Sequence, residues 1–501
     1  MHVRDRLSEI LQKLTSQHEG SELEFKSASK GLPKSFWETY SSFANTSGGL
    51  IVLGISEKPK FEVTGVTDPQ KIISNLCDIA NNKDKVNINI IENRNIETHS
   101  INGKSIIAVY IPEVSPSLKP VYLNGNPKYS YIRKNEGDYI ASTSDLRRFI
   151  RDSSDDLDSE LLDNYTLSDL NTNSILAFKN IINARTPSRH YLEMDNLDFL
   201  TEMGVFQIDR NDHRKPKLTV AGLLFLGRLD AICQKFPQFH LEYINKRNLR
   251  DNERWKDRIS SGDLNYMDLN IFEFFKLAWE KLKATIEDPF ELDENSVRKS
   301  PAELGTTLRE ALANMLIHAD YFDEGELKII VDNYFYLFSN PGNMRVSTAQ
   351  FFAGGRSSPR NNTLITFFRR IGISDRAGTG GKVIFNFAKI NKYAMPNLIT
   401  KPWGTSLKIW VATPAESHPE FTKEVQLVFE FIQTYKSVSI SQLVKGTSLN
   451  RYQIHKSLKQ LLGLNYITCS GKGRATKYVW APTIIEKIAA VDTIRNLIIN
   501  T

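Results

Sequence analysis

An α+β fold divided into three domains is what this sequence predicts, and three observations carry that expectation. The chain has 501 residues, more than one ordinary core organises at ~100–200 residues per domain. Short strand-like apolar runs and longer amphipathic helical patterns are mixed through two successive blocks. A third, small block is helical first and hairpin-like last, with a charge balance unlike the rest.

Hydrophobic residues make up 41% and charged residues 24%, which excludes a mostly disordered chain. No run of ~18 apolar residues occurs, so no membrane span is expected. The opening MHVRDRLSEILQKL lacks the apolar centre of a signal peptide, and a cytoplasmic location is expected. Cys77, Cys233 and Cys469 are far apart with no CxxC. They read as ordinary buried thiols, not as a zinc or dithiol site. The net charge of +6 hides an asymmetry. Residues 431–485 hold eight Lys and Arg and no acid, whereas 151–169 hold seven acids and one base. The first is a cationic module; the second reads as a solvated acidic linker, 151–170, between domains 1–150 and 171–415.

In the first block, a helix is predicted from about Pro33, with Phe36, Tyr40, Phe43 and Ala44 as one apolar stripe. Gly48-Gly49 ends it and opens the strand LIVLGI. Asn102-Gly103 and Asn124-Gly125 are turn signals. Glu19 lies ahead of the strand-like Leu-Glu-Phe, Glu24 is within it, and Glu57 follows the strand at 50–55. If those strands pair, the three acids could meet at one rim as oxygen ligands for a divalent metal. Solvated glutamates beside Lys26 and Lys58 are the alternative. Glu19…Glu24-Phe25-Lys26, Ser42-Phe43-Ala44-Asn45-Thr46 with Gly48-Gly49, and Leu53-Gly54-Ile55 resemble the AlbA-type domain of Schlafen proteins, with Tyr131-Ile132-Arg133 as its closing hairpin. The resemblance covers roughly the first 150 residues. It implies contact with DNA or RNA, Arg133 included. In nuclease members it implies three acids, falling here on Glu19, Glu24 and Glu57, the last standing where the family commonly has Asp.

In the second block, LTVAGLLFLG, LKIIVDNYFYLFS and SLKIWVA read as strands. FEFFKLAWEKLKATI and ELGTTLREALANMLIHA read as helices. On the latter helix, Glu310, Asn314 and His318 follow at i, i+4 and i+8 and share a polar face. A carboxylate there can orient a water and an amide oxygen can ligate Mg²⁺; a merely solvated face is the alternative. Ser339-Asn340-Pro341-Gly342 follows. Arg376-Ala-Gly378-Thr379-Gly380-Gly381-Lys382 then precedes an apolar helix, as a backbone cradle for phosphate does. It is not a P-loop, because Val383 follows Lys382. In this order the pieces resemble the Bergerat-type ATP-binding domain of the GHKL superfamily, an α/β sandwich, over roughly 170–415. The resemblance implies ATP and Mg²⁺, with Glu310 orienting water and Asn314 on the metal. It also implies His318, Asp320, Asn340 and Gly342 toward the nucleotide, and Gly378, Thr379, Gly380 and Gly381 at the phosphates. The superfamily's adenine-contacting Asp is absent, with Asn340-Pro341-Gly342 in its place.

In the third block, 422–485, three helices are predicted from Glu424, Ser439 and Asn450, then a hairpin from Tyr466 with a basic tip. Ile454, Leu458 and Leu461 line one face of the third helix, leaving Arg451, Tyr452, Lys456 and Lys459 to solvent. This resembles a winged helix-turn-helix, which implies DNA in contact with that helix and with Lys472, Arg474 and Lys477 on the wing. A protein-binding winged helix is the alternative. A homodimer would suit such a protein.

These readings converge on an ATP-binding, DNA-binding regulator in which nucleotide state controls nucleic-acid engagement. The competing expectation is an ATP-gated, metal-dependent endonuclease acting on RNA or DNA in phage defence. A scaffold that has lost ATP binding is a third.

Overall fold

The computed structural model describes residues 22–480 apart from 30, 57–61, 102, 135–136, 155–156, 213, 287–300, 347, 356–357, 374–377, 402, 414–416, 418–420, 436, 465 and 471–475. The chain divides into two compact units, Met1–Asp155 and Asp156–Thr501. Among the described residues no helix is long and apolar enough to cross a membrane.

The first unit is built on a four-stranded sheet of order β1-β2-β4-β3, from β1 (Leu23–Lys26), β2 (Gly49–Leu53), β3 (Ile96–Ile101) and β4 (Lys104–Ile111). The expected pairing of the first two strands is present and parallel, with Glu24 opposite Ile51. The other two pairings are antiparallel. Alternation sends Ile51, Leu53, Ile107 and Val109 into one core and Leu50, Val52, Ile106 and Ala108 into another, as the period of two requires. Helix α1 (Ser35–Asn45) buries the stripe Phe36, Tyr40, Phe43 and Ala44 completely. Each such aromatic contributes ~1.5–3 kcal/mol by leaving water. Helix α2 (Pro69–Asn81) is capped by the Asp68 side chain. The pair β5 (Tyr131–Lys134) and β6 (Gly137–Ile140) forms a hairpin, followed by α3 (Thr143–Ser153). Asn124 and Gly125 both take positive φ, 54° and 66°, which is the I′ geometry that dipeptide favours.

The segment Ser42–Thr46 shows its worth in hydrogen bonds. Buried Asn45 donates to the carbonyls of Val121 (2.8 Å) and Tyr131 (3.0 Å) and accepts from Val121 N–H (2.8 Å). Thr46 Oγ1 accepts from Arg133 N–H. These side chains pin two extended segments to α1, satisfying backbone groups that burial would otherwise leave unpaired.

In the second unit, α4 (Thr172–Arg185), α5 (Asn196–Glu202), β7 (Phe206–Ile208) and β8 (Pro216–Thr219) lead into α6 (Val220–Leu226) and α7 (Leu229–Lys235). The run LTVAGLLFLG, expected to be a strand, is therefore mostly helix. A wholly buried apolar run has no periodicity to separate the two states. Thr219 decides it by accepting Gly222 N–H as N-cap at 2.9 Å. The acidic linker also differs from expectation. Leu161–Leu162 pairs with β8, and Asp158 is 1% exposed.

A six-stranded mixed sheet follows, of order β10-β9-β11-β12-β14-β13. Its strands are β9 (Leu241–Asn245), β10 (Asp257–Ser260), β11 (Leu327–Val331), β12 (Phe335–Pro341), β13 (Asn397–Lys401) and β14 (Gly404–Trp410). The β9–β11 pairing is parallel and the others are antiparallel. Between these strands lie α8 (Ile271–Ile286), α9 (Pro301–His318), α10 (Thr348–Ala353), α11 (Asn362–Arg370) and α12 (Gly380–Ile390). Asp158 Oδ2 accepts the N–H groups of Thr363 and Leu364, at 2.7 and 2.9 Å, and so caps α11 from more than 200 residues away in sequence.

The last elements have a core of their own. Helices α13 (Lys423–Tyr435), α14 (Ile440–Thr447) and α15 (Arg451–Gly463) pack through Val425, Val428, Phe429, Leu443, Ile454 and Leu458. Ser439 and Asn450 cap α14 and α15 in full capping boxes. Strands β15 (Ser437–Val438), β16 (Ile467–Ser470) and β17 (Lys477–Trp480) form a sheet of order β15-β17-β16. The three cysteines are free and none is fully buried: Cys469 is exposed on β16, and Cys77 and Cys233 are half-buried.

Candidate functional site

The polar face of α9 looks into a cleft bounded by β12, β14, β13, α10 and the start of α12. Its free space is about 980 Å³, solvent at the mouth included. Glu310, Asn314, His318, Asn340, Gly378, Thr379, Gly380 and Gly381 all line it. Phe338, Met315, Ile365, Leu398 and Leu407 supply an apolar wall.

The closest approach is between the glycine segment and α9. Asn314 Nδ2 donates to Glu310 Oε1 at 3.3 Å, one helical turn away. A Cβ on Gly380 would stand 2.2 Å from Glu310 Oε1 and 2.6 Å from Asn314 Nδ2. A Cβ on Gly381 would stand 2.0 Å from the Phe351 carbonyl oxygen. Only glycine lets the first turn of α12 lie against both α9 and α10. Gly378 has φ +61°, a conformation that glycine adopts without strain. The N–H groups of that first turn have no partner within the helix, and the helix field there favours an anion. Glu310 and the oxygen of Asn314 are hard donors of the kind Mg²⁺ takes.

His318 lies two turns beyond Glu310. Loss of water around its ring, and after it the guanidinium groups of Arg360 and Arg345, hold its pKa down to about 4. It is therefore neutral at pH 7, a hydrogen-bonding group and not a cation.

Asp320 and Gly342 do not line the cleft. Asp320 is 1% exposed; its carboxylate accepts Phe322 N–H at 3.1 Å and faces Arg360 at 3.9 Å. Gly342, at φ +89°, has no room for a Cβ, which would stand 2.9 Å from Asp320 Cβ. The two brace the end of β12 behind the cleft wall. Asn361 supports the same region by donating to the carbonyls of Ile317 and Ala319 at the end of α9. Arg345 and Asn343 line the cleft without having been anticipated. They follow Asn340-Pro341-Gly342 within five residues, and that proximity is the only signal the sequence offers.

The carboxylates of the first unit look different. Glu19 and Glu57 lie outside the described residues. Glu24 is 9% exposed and held by Lys26 Nζ and Arg133 Nη2, each at 2.8 Å. It is a buried ion-pair partner, not a solvated rim acid. Arg133, expected at a nucleic-acid surface, is also inside: its side chain is 1% exposed. It bonds Asp138 at 3.0 Å and stacks on Phe43. Four charges brought together in this way, Glu24, Lys26, Arg133 and Asp138, offset one another's desolvation. Among the described residues no group of three His, Cys, Asp or Glu side chains is placed to hold a metal ion.

On α15, Ile454, Leu458 and Leu461 are buried, while Arg451, Tyr452, Lys456 and Lys459 are exposed, Tyr452 by 78%. Lys477 is exposed on β17; Lys472 and Arg474 lie outside the described residues.

Three segments of the chain match known protein families. Residues 19–142 match the Schlafen, AlbA_2 family. Residues 337–409 match the family described as "Putative ATP-dependent DNA helicase recG C-terminal". The chain thus joins a Schlafen AlbA_2 domain to a recG C-terminal-type domain. The second match runs from β12 to β14 and takes in the glycine segment, but leaves out Glu310 and Asn314. Residues 147–242 match a domain of unknown function, DUF8451, which begins before the linker that the acids suggested. No curated protein matches. Among solved structures, the DIP2311 protein from Corynebacterium diphtheriae is similar over 95% of this chain and 100% of its own, at 12% identity and a TM-score of 0.38. The N-terminal domain of an ATP-dependent DNA helicase RecG-related protein from Nitrosomonas europaea is similar over 28% of this chain and 94% of its own, at 27% identity and a TM-score of 0.21.

Proposed function

We propose that the cleft is a nucleotide site of the Bergerat type and that the protein is an ATP-dependent, nucleic-acid-binding regulator. The observation that carries this reading is the contact of Gly380 with both Glu310 and Asn314. It brings a carboxylate, a side-chain amide and a helix N-terminus to one point from positions some 70 residues apart. Phosphate would take the N–H groups at the start of α12. Asn314 would hold Mg²⁺, which when bound neutralises phosphate charge. Glu310 would orient the attacking water. The base would lie toward Asn340 and the apolar wall.

The helices and hairpin over 422–480 are read as a winged helix, with α15 and the hairpin presenting cations to DNA. The AlbA_2 domain supplies a second nucleic-acid surface. The three-domain organisation, the regulatory coupling and a cytoplasmic location belong to the same proposal. Coupling requires that ATP bind two arrangements of the chain with different affinity. The nuclease reading draws no support from Glu24, whose carboxylate is engaged by two cations.

The test is Glu310→Ala assayed for ATP binding and hydrolysis separately. Binding should persist while phosphate release stops. Undiminished release would remove Glu310 from the site, and with it the Bergerat reading.

A further inference from the structure

The hairpin loop between β9 and β10 carries a feature that none of the readings above uses. From Lys246 to Arg258 the chain holds six cationic residues against three acids. The two ends of this stretch behave as ordinary structure. Arg258 bonds Glu242 at 2.8 Å, Asp257 pairs with Lys281 at 2.8 Å, and Arg247 donates to the Thr285 carbonyl at 2.7 Å. The middle does not. Lys246, Arg250, Arg254 and Lys256 are exposed, and among the described residues none has an ion-pair partner. Of the nearby acids, Asp257 is taken by Lys281, so Asp251 and Glu253, the latter also accepting the Arg250 N–H at 3.0 Å, are left to balance four cations.

Trp255 lies among those cations and is 42% exposed. The Arg258 guanidinium stands 5.2 Å from the indole centroid, over one face of the ring. Since Glu242 fixes Arg258, the ring is backed by a rigid group and its remaining surface faces solvent. The loop is also held in shape. Lys246 N–H donates to Val331 O at 2.7 Å, Asn248 N–H to Asn333 Oδ1 at 3.0 Å, and Lys256 N–H to Asn245 O at 2.8 Å. Asn248 and Asn252 take positive φ, 49° and 76°. The Asn333 bond ties the loop to the β11–β12 turn, where Tyr334 is likewise 42% exposed.

A solvated charged loop needs none of this. Uncompensated cations repel one another, and an exposed indole forgoes burial. Both are relieved by one class of ligand, a polyanion that also carries flat apolar rings. We propose that the β9–β10 loop is a docking surface for single-stranded nucleic acid. An unpaired base stacks on Trp255, and phosphates meet Arg250, Arg254 and Lys256. A duplex keeps its bases stacked on each other and cannot offer one to the indole, so single strands are selected. None of these residues lines the cleft or belongs to α15, so the surface is independent of the nucleotide reading.

The experiment measures anisotropy of labelled oligo-dT, oligo-U and a DNA duplex with the full chain at several salt concentrations. Trp255→Ala should weaken single-strand binding by roughly tenfold or more, since a stacked base contributes that much. Trp255→Phe should recover much of the loss. Replacing Arg250, Arg254 and Lys256 together by Ala should reduce the slope of log affinity against log salt by about 2, at ~0.7 per phosphate on a single strand. Preference for oligo-dT or for oligo-U identifies the backbone, and either supports the proposal. Replacing Lys456 and Lys459 by Ala should lower duplex affinity and leave the Trp255 effect on single strands intact, which separates failure of this surface from failure of the α15 reading. Wild-type protein that does not bind single strands overturns the proposal. So do loop variants that bind them as wild type does, and a Trp255→Phe variant no better than Trp255→Ala.

Discussion

Replacing Gly380 by Ala separates the proposed chemistry from the stability of the fold. Gly380 begins α12 with no positive φ, so the backbone accepts an L side chain. The added methyl would stand 2.2 Å from Glu310 Oε1 and 2.6 Å from Asn314 Nδ2. Ordinary contact requires about 3.5 Å, so both side chains must retreat by about 1 Å. They can do so, because both are side-chain ends bordering open cleft. Alanine in place of glycine within a helix is worth ~0.5–1 kcal/mol, which offsets much of the strain. The variant should therefore melt within a few degrees of wild type. Its catalysis should not survive, since a misplacement of about 1 Å in a reacting constellation costs ~10²-fold. Gly381→Ala is the control. Its methyl meets the backbone oxygen of Phe351 at 2.0 Å, which cannot step aside without moving α10, and overpacking of that kind costs ~1–3 kcal/mol. Phosphate release and thermal melting, measured on both variants, decide the matter. Wild-type turnover by Gly380→Ala, or destabilisation equal to that of Gly381→Ala, would refute the reasoning.

Other consequences are equally open to measurement. His318 is held below its ordinary value of 6.5, at about 4, chiefly by burial. The unfolded chain thus binds a proton that the folded chain refuses. Stability from this group is present above pH 6.5 and lost as pH falls toward 4. The melting temperature of wild type should drop across that window more steeply than that of His318→Asn; equal profiles would contradict the assignment. Asn45→Ala leaves the Val121 N–H and the Tyr131 carbonyl without their partner, while the Val121 carbonyl keeps only the Ser41 hydroxyl at 2.7 Å. It should destabilise the first unit by about 3 kcal/mol, read as an earlier denaturant midpoint. Lys456→Ala and Lys459→Ala together should lower duplex DNA affinity for all sequences and reduce the salt slope by about 2, at ~0.9 per phosphate. An unchanged slope would place the DNA surface elsewhere.

Periodicity made some of this structure legible and failed on the rest for identifiable reasons. The stripe Phe36, Tyr40, Phe43 and Ala44 and the helices expected from Ser439 and Asn450 are local signals, and the structure has those helices there. Val220–Leu226 carries no such signal, because every residue in it is buried and a hydroxyl at Thr219 settles its conformation. Glu24 and Arg133 looked like surface charges because nothing in sequence shows that two residues 109 apart neutralise each other. Asp158 has the same difficulty: within an acidic run it reads as solvated, while its carboxylate caps α11. In the cleft, motif spacing found Glu310, Asn314 and the glycine segment. Arg345 escaped because loop residues have no period.

The central claim is that the cleft between α9 and α12 binds nucleotide with a metal ion. Calorimetric titration of the purified full chain with ATP, with and without Mg²⁺, tests it most directly when wild type is run beside Asn314→Ala. The account predicts saturable binding by wild type that depends on Mg²⁺, and its loss in Asn314→Ala with the melting temperature little changed. Absence of ATP binding by wild type, or Mg²⁺-dependent binding undiminished in Asn314→Ala, would contradict it.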